Sequence, residues 1–124
     1  MESNNNSFGE LLLQLREKHD VTLRELARKI GVSAPFLSDV EKDRKAPLTA
    51  EKLEKVAIAL GLSSEEKIQL FDIAGKQRKT IAPDLPAYIM ERDYVSIALR
   101  TARDLDAGEA EWQKFIEELK KQKG

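Results

Sequence analysis

Apolar residues recur every three or four positions along most of the chain, which is the periodicity of amphipathic helices. No stretch alternates between apolar and polar residues as a half-buried strand does, and no apolar run is long enough to span a membrane. The chain is therefore predicted to be all-α. The predicted helices cover residues 8–19, 22–31, 33–42, 49–60, 63–75 and 87–105, and a last segment with the stripe Trp112, Phe115, Ile116 and Leu119.

Capping residues mark the boundaries of several of these helices. A Thr or Ser followed three residues later by Glu satisfies two free backbone N–H groups, and this pattern opens the helices at Thr22 and Ser63. Ser33 caps a further helix, whose first turn tolerates a proline. Gly31 and Gly61 each follow a helix, at a position where glycine adopts a left-handed conformation without steric cost.

The texture of the chain changes after the fifth predicted helix, which is expected to end at Gly75. The segment KQRKTIAPDLPAY contains two prolines and has weak periodicity, so residues 76–86 are predicted to form a linker. The predicted organisation is a disordered N-terminus over residues 1–7, a five-helix domain over residues 8–75, that linker, and a helical C-terminal region over residues 87–124.

The second and third predicted helices are short, capped and joined by a tight turn. Ala27 and Gly31 are small where these helices would cross closely, and the apolar Val32 in the turn would fix their angle. This is the plan of a helix-turn-helix, whose second helix enters the major groove of DNA. Residues 22–62 resemble the Xre/lambda-repressor family, a likeness extending over about residues 8–75 and carried by Leu26-Ala27, Gly31-Val32-Ser33, Leu37-Ser38, Val40-Glu41, Pro47 and LEKVAIALGL.

The resemblance implies a lambda-repressor-like fold with a C-terminal helical tail, and it implies which residues read bases. Those positions correspond to Ala34, Pro35, Ser38 and Asp39. Family members often carry Gln, Arg or Lys there, because bidentate donors suit purine edges. This chain instead offers an Ala methyl group and a Pro ring, so sparse, partly apolar or shape-based readout is expected. Glu41 corresponds to a structural ion-pair position rather than to a base reader.

Phosphate contacts would then have to supply most of the affinity. The free N–H groups around Thr22 and Ser33, at the starts of two helices, are one candidate set. Cationic side chains are the other set, although a solvated charged surface is an open alternative, above all for Arg24, Arg28 and the KQRK segment at residues 76–79. The candidate cations are Arg24, Arg28, Lys42, Arg44 and Lys45.

Net charge argues against strong binding by one subunit. The formal net charge of the chain is −1, and residues 1–75 carry 11 Lys and Arg against 13 Asp and Glu. Because the predicted DNA-binding half is not basic, a homodimer on two half-sites is expected to recover affinity by raising the effective concentration.

The cysteine and histidine content limits other chemistry. The chain has no Cys, which excludes disulfides and thiolate chemistry and fits a cytoplasmic location. Its one histidine, His19, lacks a set of metal-binding partners and is expected to be a helix-terminal charge or a bystander. No Ser–His–Asp arrangement can be assembled, so no enzymatic activity, metal or cofactor is expected.

The C-terminal region is the candidate for protein contacts. It follows a proline-containing linker, so its apolar residues would fold back on the first domain, form a dimer or bind another protein. The partner or dimer candidates are Tyr94, Trp112, Phe115, Ile116 and Leu119.

These observations predict a sequence-specific transcription regulator, a dimeric repressor or autorepressor that reads double-stranded DNA with helix 33–42. One alternative is an antitoxin-type regulator that also neutralises a toxin protein through its C-terminal helices, since small members of this family often resemble antitoxins. The other is a protein-interaction module with a degenerate reading helix, of which Ala34, Pro35 and Asp39 would be the trace.

Overall fold

The structure is a computed structural model that describes residues 6–124, and within that range it contains helices and no strand. The predicted all-α class is therefore confirmed. The chain divides into two compact units, one that ends at Pro86 and one over Ala87–Gly124. The helices are α1 (Phe8–Lys18), α2 (Leu23–Ile30), α3 (Ala34–Glu41), α4 (Ala50–Leu60), α5 (Ser64–Arg78), α6 (Pro86–Met90), α7 (Asp93–Asp104) and α8 (Glu109–Lys123).

The first unit has one hydrophobic core, to which all five of its helices contribute. Helix α2 packs against α3 and α4, while α1 packs against α3 and α5. Because α3 lies against both α1 and α2, one of its sides is fixed in the core and the other is left for solvent. The largest fully buried side chains are Phe8, Leu12, Leu26, Ile30, Leu37, Val40, Leu53, Val56, Leu70 and Phe71.

Helix α5 runs three residues past Gly75, where the sequence predicted its end. Gly75 is buried inside the helix, and a Cβ atom there would lie 2.8 Å from the backbone nitrogen of Ala82. This glycine therefore permits the returning chain to pack closely and does not end the helix. The left-handed residue that follows the helix is Lys79, with a φ of 60°. The first part of the predicted linker is thus helical.

The start of the described chain differs from the predicted disordered N-terminus. Residues 1–5 lie outside the described part of the chain. Ser7 caps α1: its hydroxyl oxygen accepts a hydrogen bond from the Glu10 N–H at 3.1 Å, and the Glu10 carboxylate accepts one from the Ser7 N–H at 3.0 Å. The Asn6 side chain also donates to Gln14 at 3.0 Å. Asn6 and Ser7 therefore belong to the folded unit.

The single helix predicted over residues 87–105 is divided into α6 and α7. Arg92 is extended, with φ −137° and ψ 100°, and Asp93 opens α7. An acidic residue is favourable at a helix start and poor in a helix interior, which explains the break. No residue of α6, α7 or α8 is buried. Across the described residues, no helix is long and apolar enough to cross a membrane.

Candidate nucleic-acid interface

The turn between α2 and α3 has the predicted conformation. Gly31 is left-handed, with φ 79° and ψ 35°, and both its N–H and that of Val32 donate to the carbonyl oxygen of Ala27 at 3.0 Å. Val32 is half-buried against the core. Because the chain reverses within three residues, α3 begins at the surface immediately beside α2.

The starts of α2 and α3 differ in the N–H groups they leave for a phosphate. Thr22 and Ser33 are exposed N-caps whose hydroxyl oxygens each accept one backbone N–H at 3.1 Å. At α2, the Leu23 and Arg24 N–H groups have no partner among residues 6–124. At α3, Pro35 has no N–H to offer. The start of α2 is therefore the better anion site of the two.

One side of α3 is buried and the opposite side carries a mixture of apolar and polar residues. Leu37 and Val40 are fully buried. Pro35 is exposed, and Ser38 and Asp39 are half-buried. Ala34, which the resemblance placed among the base readers, is half-buried and packs against the core.

Phe36 lies differently from its predicted core position. Its side chain is 37% exposed, at the edge of α3 next to the exposed Pro35. The two residues form an apolar surface at the start of the helix, and Phe36 is the residue of this surface that sequence reasoning missed.

Asp39 and Arg44 form an ion pair on the same side of the molecule. The Arg44 guanidinium lies 3.6 Å from the Asp39 carboxylate, and both side chains are partly exposed. The Arg44 backbone N–H also donates to the Asp39 carbonyl oxygen at 2.8 Å. The positive charge of Arg44 therefore offsets the one acidic charge among the predicted base readers.

The chain leaves α3 through a left-handed residue and then presents three cations. Asp43 has a φ of 59° and donates its N–H to the Val40 carbonyl oxygen at 3.1 Å. Lys42, Arg44 and Lys45 on either side of it are all exposed. The structure therefore gathers the three predicted phosphate-binding cations at the C-terminal end of α3.

Comparison with known proteins identifies this arrangement. The helix-turn-helix family model matches residues 12–67, the segment that contains α2, the turn and α3. Residues 12–67 are an Xre-like helix-turn-helix domain. Two strains of Mycobacterium tuberculosis contain an uncharacterized HTH-type transcriptional regulator that is 40% identical over 57 residues, covering 46% of this chain and 40% of that protein.

A more distant relative and a solved structure also match the chain. The HTH-type transcriptional regulator DdrOP3 of Deinococcus deserti is 28% identical over 74 residues, covering 60% of this chain and 57% of that protein. The chain therefore spans only part of the relatives' own lengths. A chain of the solved SinR protein/SinI protein complex aligns over 94% of this chain and 97% of its own, with 21% identity and a TM-score of 0.43. The family and the named relatives are transcription regulators and not enzymes.

The helix-turn-helix domain holds the end of α3 with a buried ion pair. Arg16 of α1 donates to both carboxylate oxygens of Glu41, from Nε at 2.8 Å and from one terminal nitrogen at 3.0 Å. Its other terminal nitrogen donates to the Val21 carbonyl oxygen at 3.1 Å. The hydrogen bond to Glu41 raises the pKa of Arg16 above its ordinary value. Glu41 is thus a structural residue, as the resemblance implied.

A second polar junction follows directly after α3. The Asp43 carboxylate accepts hydrogen bonds from the Ser7 hydroxyl, from the Gly9 N–H at 3.0 Å and from the Gln77 amide at 3.3 Å. Burial raises the pKa of Asp43, but these hydrogen bonds outweigh it, and the pKa is lowered. Asp43 thereby fastens the loop that carries Lys42, Arg44 and Lys45 to α1 and α5.

His19 has a partner, contrary to the prediction that it would be a bystander. Its Nε2 lies 3.0 Å from a carboxylate oxygen of Glu66, which also accepts the Ser63 N–H at 2.9 Å. The Lys18 ammonium group contacts the other oxygen. The hydrogen bonds from Lys18 and Ser63 lower the pKa of Glu66 to about 2. This carboxylate joins the end of α1 to the start of α5.

The remaining predicted cations lie in different surroundings. Arg24 and Arg28 are exposed on α2. In the KQRK segment, Arg78 donates to the Pro47 carbonyl oxygen and so ties α5 to the loop after α3. Within the described residues, no three His, Cys, Asp or Glu side chains form a group that could hold a metal ion.

The predicted partner or dimer residues are exposed in the second unit. Trp112 and Phe115 contact each other edge to face, with ring centroids 6.1 Å apart. The exposed fractions are 67% for Tyr94, 38% for Trp112, 54% for Phe115, 41% for Ile116 and 43% for Leu119. These side chains form no buried core of their own.

Proposed function

We propose that the chain is a sequence-specific DNA-binding repressor that acts as a homodimer in the cytoplasm and inserts α3 into the major groove. The observation that carries this proposal is the two-sided character of α3 within a helix-turn-helix domain. Leu37, Val40 and Glu41 hold its inner side in the core, while Pro35 and Asp39 stay accessible on the other. A helix fixed in this way protrudes far enough to enter a groove.

The chemistry of the accessible side indicates the bases it would read. Pro35 and Phe36 offer apolar surface, which suits the methyl group of thymine. Asp39 accepts a hydrogen bond from an exposed amino group of cytosine, and Ser38 both donates and accepts. With no bidentate donor on this side, sequence-dependent DNA shape would carry a large part of the specificity.

Phosphate contacts would come from both ends of the helix pair. The unpartnered N–H groups of Leu23 and Arg24 at the start of α2 suit one phosphate. Lys42, Arg44 and Lys45 at the end of α3 suit others. Because the net charge of the chain is −1, the attraction is local, and two linked subunits would be needed for tight binding.

The test is selection of bound sequences from a random pool of DNA duplexes at low and moderate salt, with the full chain and with Phe36→Ala. We expect a two-fold symmetric site with half-sites about 34 Å apart, one helical turn. Phe36→Ala should lose a thymine preference at one position in each half-site while still binding. Ile68→Ala, which changes an apolar residue on α5 that is 57% exposed, is the matched control and should select the unchanged site.

Two results would contradict the proposal in different ways. Enrichment of nothing at either salt concentration would refute the repressor function and favour a protein-interaction module. An unchanged site with Phe36→Ala would refute only the role of Phe36.

A second candidate is an antitoxin-type regulator, favoured by the apolar residues that α7 and α8 leave exposed. Tyr94 and Phe115 are more than half exposed, as a surface for another protein would be. A chain that is monomeric when pure, and that forms a one-to-one complex with a purified toxin, would support this candidate over the homodimer.

A further inference from the structure

Helix α8 carries an apolar stripe that nothing in the described chain buries. Trp112, Phe115, Ile116 and Leu119 recur at helical spacing on one side of it, each 38–54% exposed. Helix α7 offers a similar stripe in which Leu99 is 42% exposed. Isolated helices of this length are marginally stable in water, so α8 needs a surface that covers its stripe.

Charged residues follow one edge of this stripe in a particular order. At about 100° per residue, Glu109, Lys120 and Lys123 project to the same edge, whereas Glu111 projects to the other edge. The acidic member of the first edge lies in the first turn of α8, and the two basic members lie in its last turn. The edge is therefore negative at one end of the helix and positive at the other.

We propose that a second copy of the chain covers the stripe, with the two α8 helices antiparallel and crossing near Ile116. This proposal rests on the proposed homodimeric function and names the helix that forms the dimer. In an antiparallel pair with two-fold symmetry, equivalent edges face each other in opposite directions. Glu109 of each subunit then meets Lys120 and Lys123 of the partner subunit.

A parallel arrangement is disfavoured by the same residues. It would set Glu109 beside Glu111 of the partner subunit, because opposite edges meet in a parallel pair. It would also align the two helix dipoles, whereas an antiparallel pair lets them compensate. The charge order on α8 therefore selects the antiparallel pair.

Single cysteines in the full chain distinguish these arrangements, since the natural sequence has no Cys. Ile116→Cys lies near the symmetry axis and should cross-link to itself under mild oxidation. Glu109→Cys and Lys123→Cys should each fail to self-cross-link, because the two copies of each position lie about 20 Å apart and a disulfide needs Cα atoms within about 7 Å. A mixture of those two variants should cross-link.

Ile58→Cys, on α4 and 81% exposed, is the control for random collisions and should stay uncross-linked. Self-cross-linking of Glu109→Cys would overturn the antiparallel arrangement. Failure of Ile116→Cys to cross-link more than the control would overturn the α8 interface.

Charge exchange gives an independent measurement. By sedimentation equilibrium at low salt, Glu109→Lys alone and Lys120→Glu with Lys123→Glu should each weaken dimerisation about tenfold, since paired charges become repulsive. The combined variant should return to within about threefold of the natural chain. A combined variant no tighter than either parent would overturn the pairing, and a chain that is monomeric throughout would overturn the homodimer.

Oligomeric state is measured here without DNA, so the two proposals fail separately. A monomer that still selects a single half-site would leave DNA reading intact and refute the α8 dimer. A dimer that selects no DNA would do the reverse.

Discussion

Glu66 shows how much one carboxylate contributes to the stability of this domain. It is almost fully buried, it completes the cap of α5, and its pKa of about 2 lies below the ordinary value of 4.5. In the unfolded chain the group takes up its proton near pH 4.5, and in the folded chain near pH 2. Its stabilising contribution is therefore complete above pH 4.5 and is lost as the pH falls towards 2.

Glu66→Gln should accordingly destabilise the domain by about 1–3 kcal/mol at pH 7 and reduce the loss of stability between pH 4.5 and 2. Urea unfolding at pH 7, 4 and 3 measures both effects. Glu65→Gln, an exposed neighbour in the same turn, is the control and should change little. Equal acid sensitivity in the natural chain and Glu66→Gln would show that other groups cause the acid loss.

At the level of single residues, helical spacing located α3 but did not determine its rotation. Phe36 was assigned inward because it is apolar, yet Glu41 occupies an inward position and Phe36 stays at the edge. The reason is Arg16, which neutralises Glu41 from another helix. Such a pair joins residues far apart in the sequence, and periodicity carries no information about it. The contact between His19 and Glu66 was missed for the same reason.

The junction of α1 with α3 depends on the absence of a side chain at Gly9. A Cβ atom there would lie 2.5 Å from the carbonyl oxygen of Glu41 and 2.6 Å from that of Val40. We expect Gly9→Ala to force the two helices apart and to lower the melting temperature by roughly 5–15 °C, since overpacking typically costs about 1–3 kcal/mol. The gain of about 1 kcal/mol in helix propensity is smaller than this loss.

Thermal unfolding followed by circular dichroism measures this effect. Gly108→Ala is the matched control, because its added Cβ would meet only the Glu111 carboxylate at 3.4 Å. Equal melting temperatures for the two variants would show that the α1–α3 contact yields without cost.

At the level of elements, the sequence predicted starts better than ends. Thr22, Ser33 and Ser63 cap their helices as predicted, because a cap uses residues within four positions of each other. Gly75 was taken for a helix end, but its role is contact with the returning chain, which is a tertiary property. Asp93 divides the helix predicted over residues 87–105, although the apolar pattern runs across the break.

For the whole molecule, the near-zero net charge confines DNA attraction to a small surface. In the proposed complex, Lys45 neutralises one phosphate in each subunit. Lys45→Gln should then reduce the slope of log K against log salt by about 0.9 for each phosphate lost, or about 2 for a dimer. Fluorescence anisotropy across a salt series with the selected site measures the slope.

Lys55→Gln, an exposed cation on α4 outside the predicted interface, is the control for loss of general charge. If both variants shift the slope equally, the attraction is diffuse and Lys45 is no specific contact.

The division of the molecule into a folded domain and a helical region was expected from the change of texture after residue 75, and the unit boundary lies at Pro86. The partner of the second unit could not be predicted in the same way. An apolar stripe shows that a helix needs cover, but the identity of the cover depends on another surface. For this chain the charge order along α8 supplies that missing information.

The ion pair between Asp39 and Arg44 has a consequence for how wrong DNA sites would be refused. In the free protein each charge quiets the other. A phosphate that draws Arg44 away leaves Asp39 facing the groove with an unmatched negative charge. Only a base edge that presents an amino group relieves it, so an incorrect sequence is actively repelled rather than merely held less firmly. The domain would then discriminate through a penalty that appears at the moment of docking.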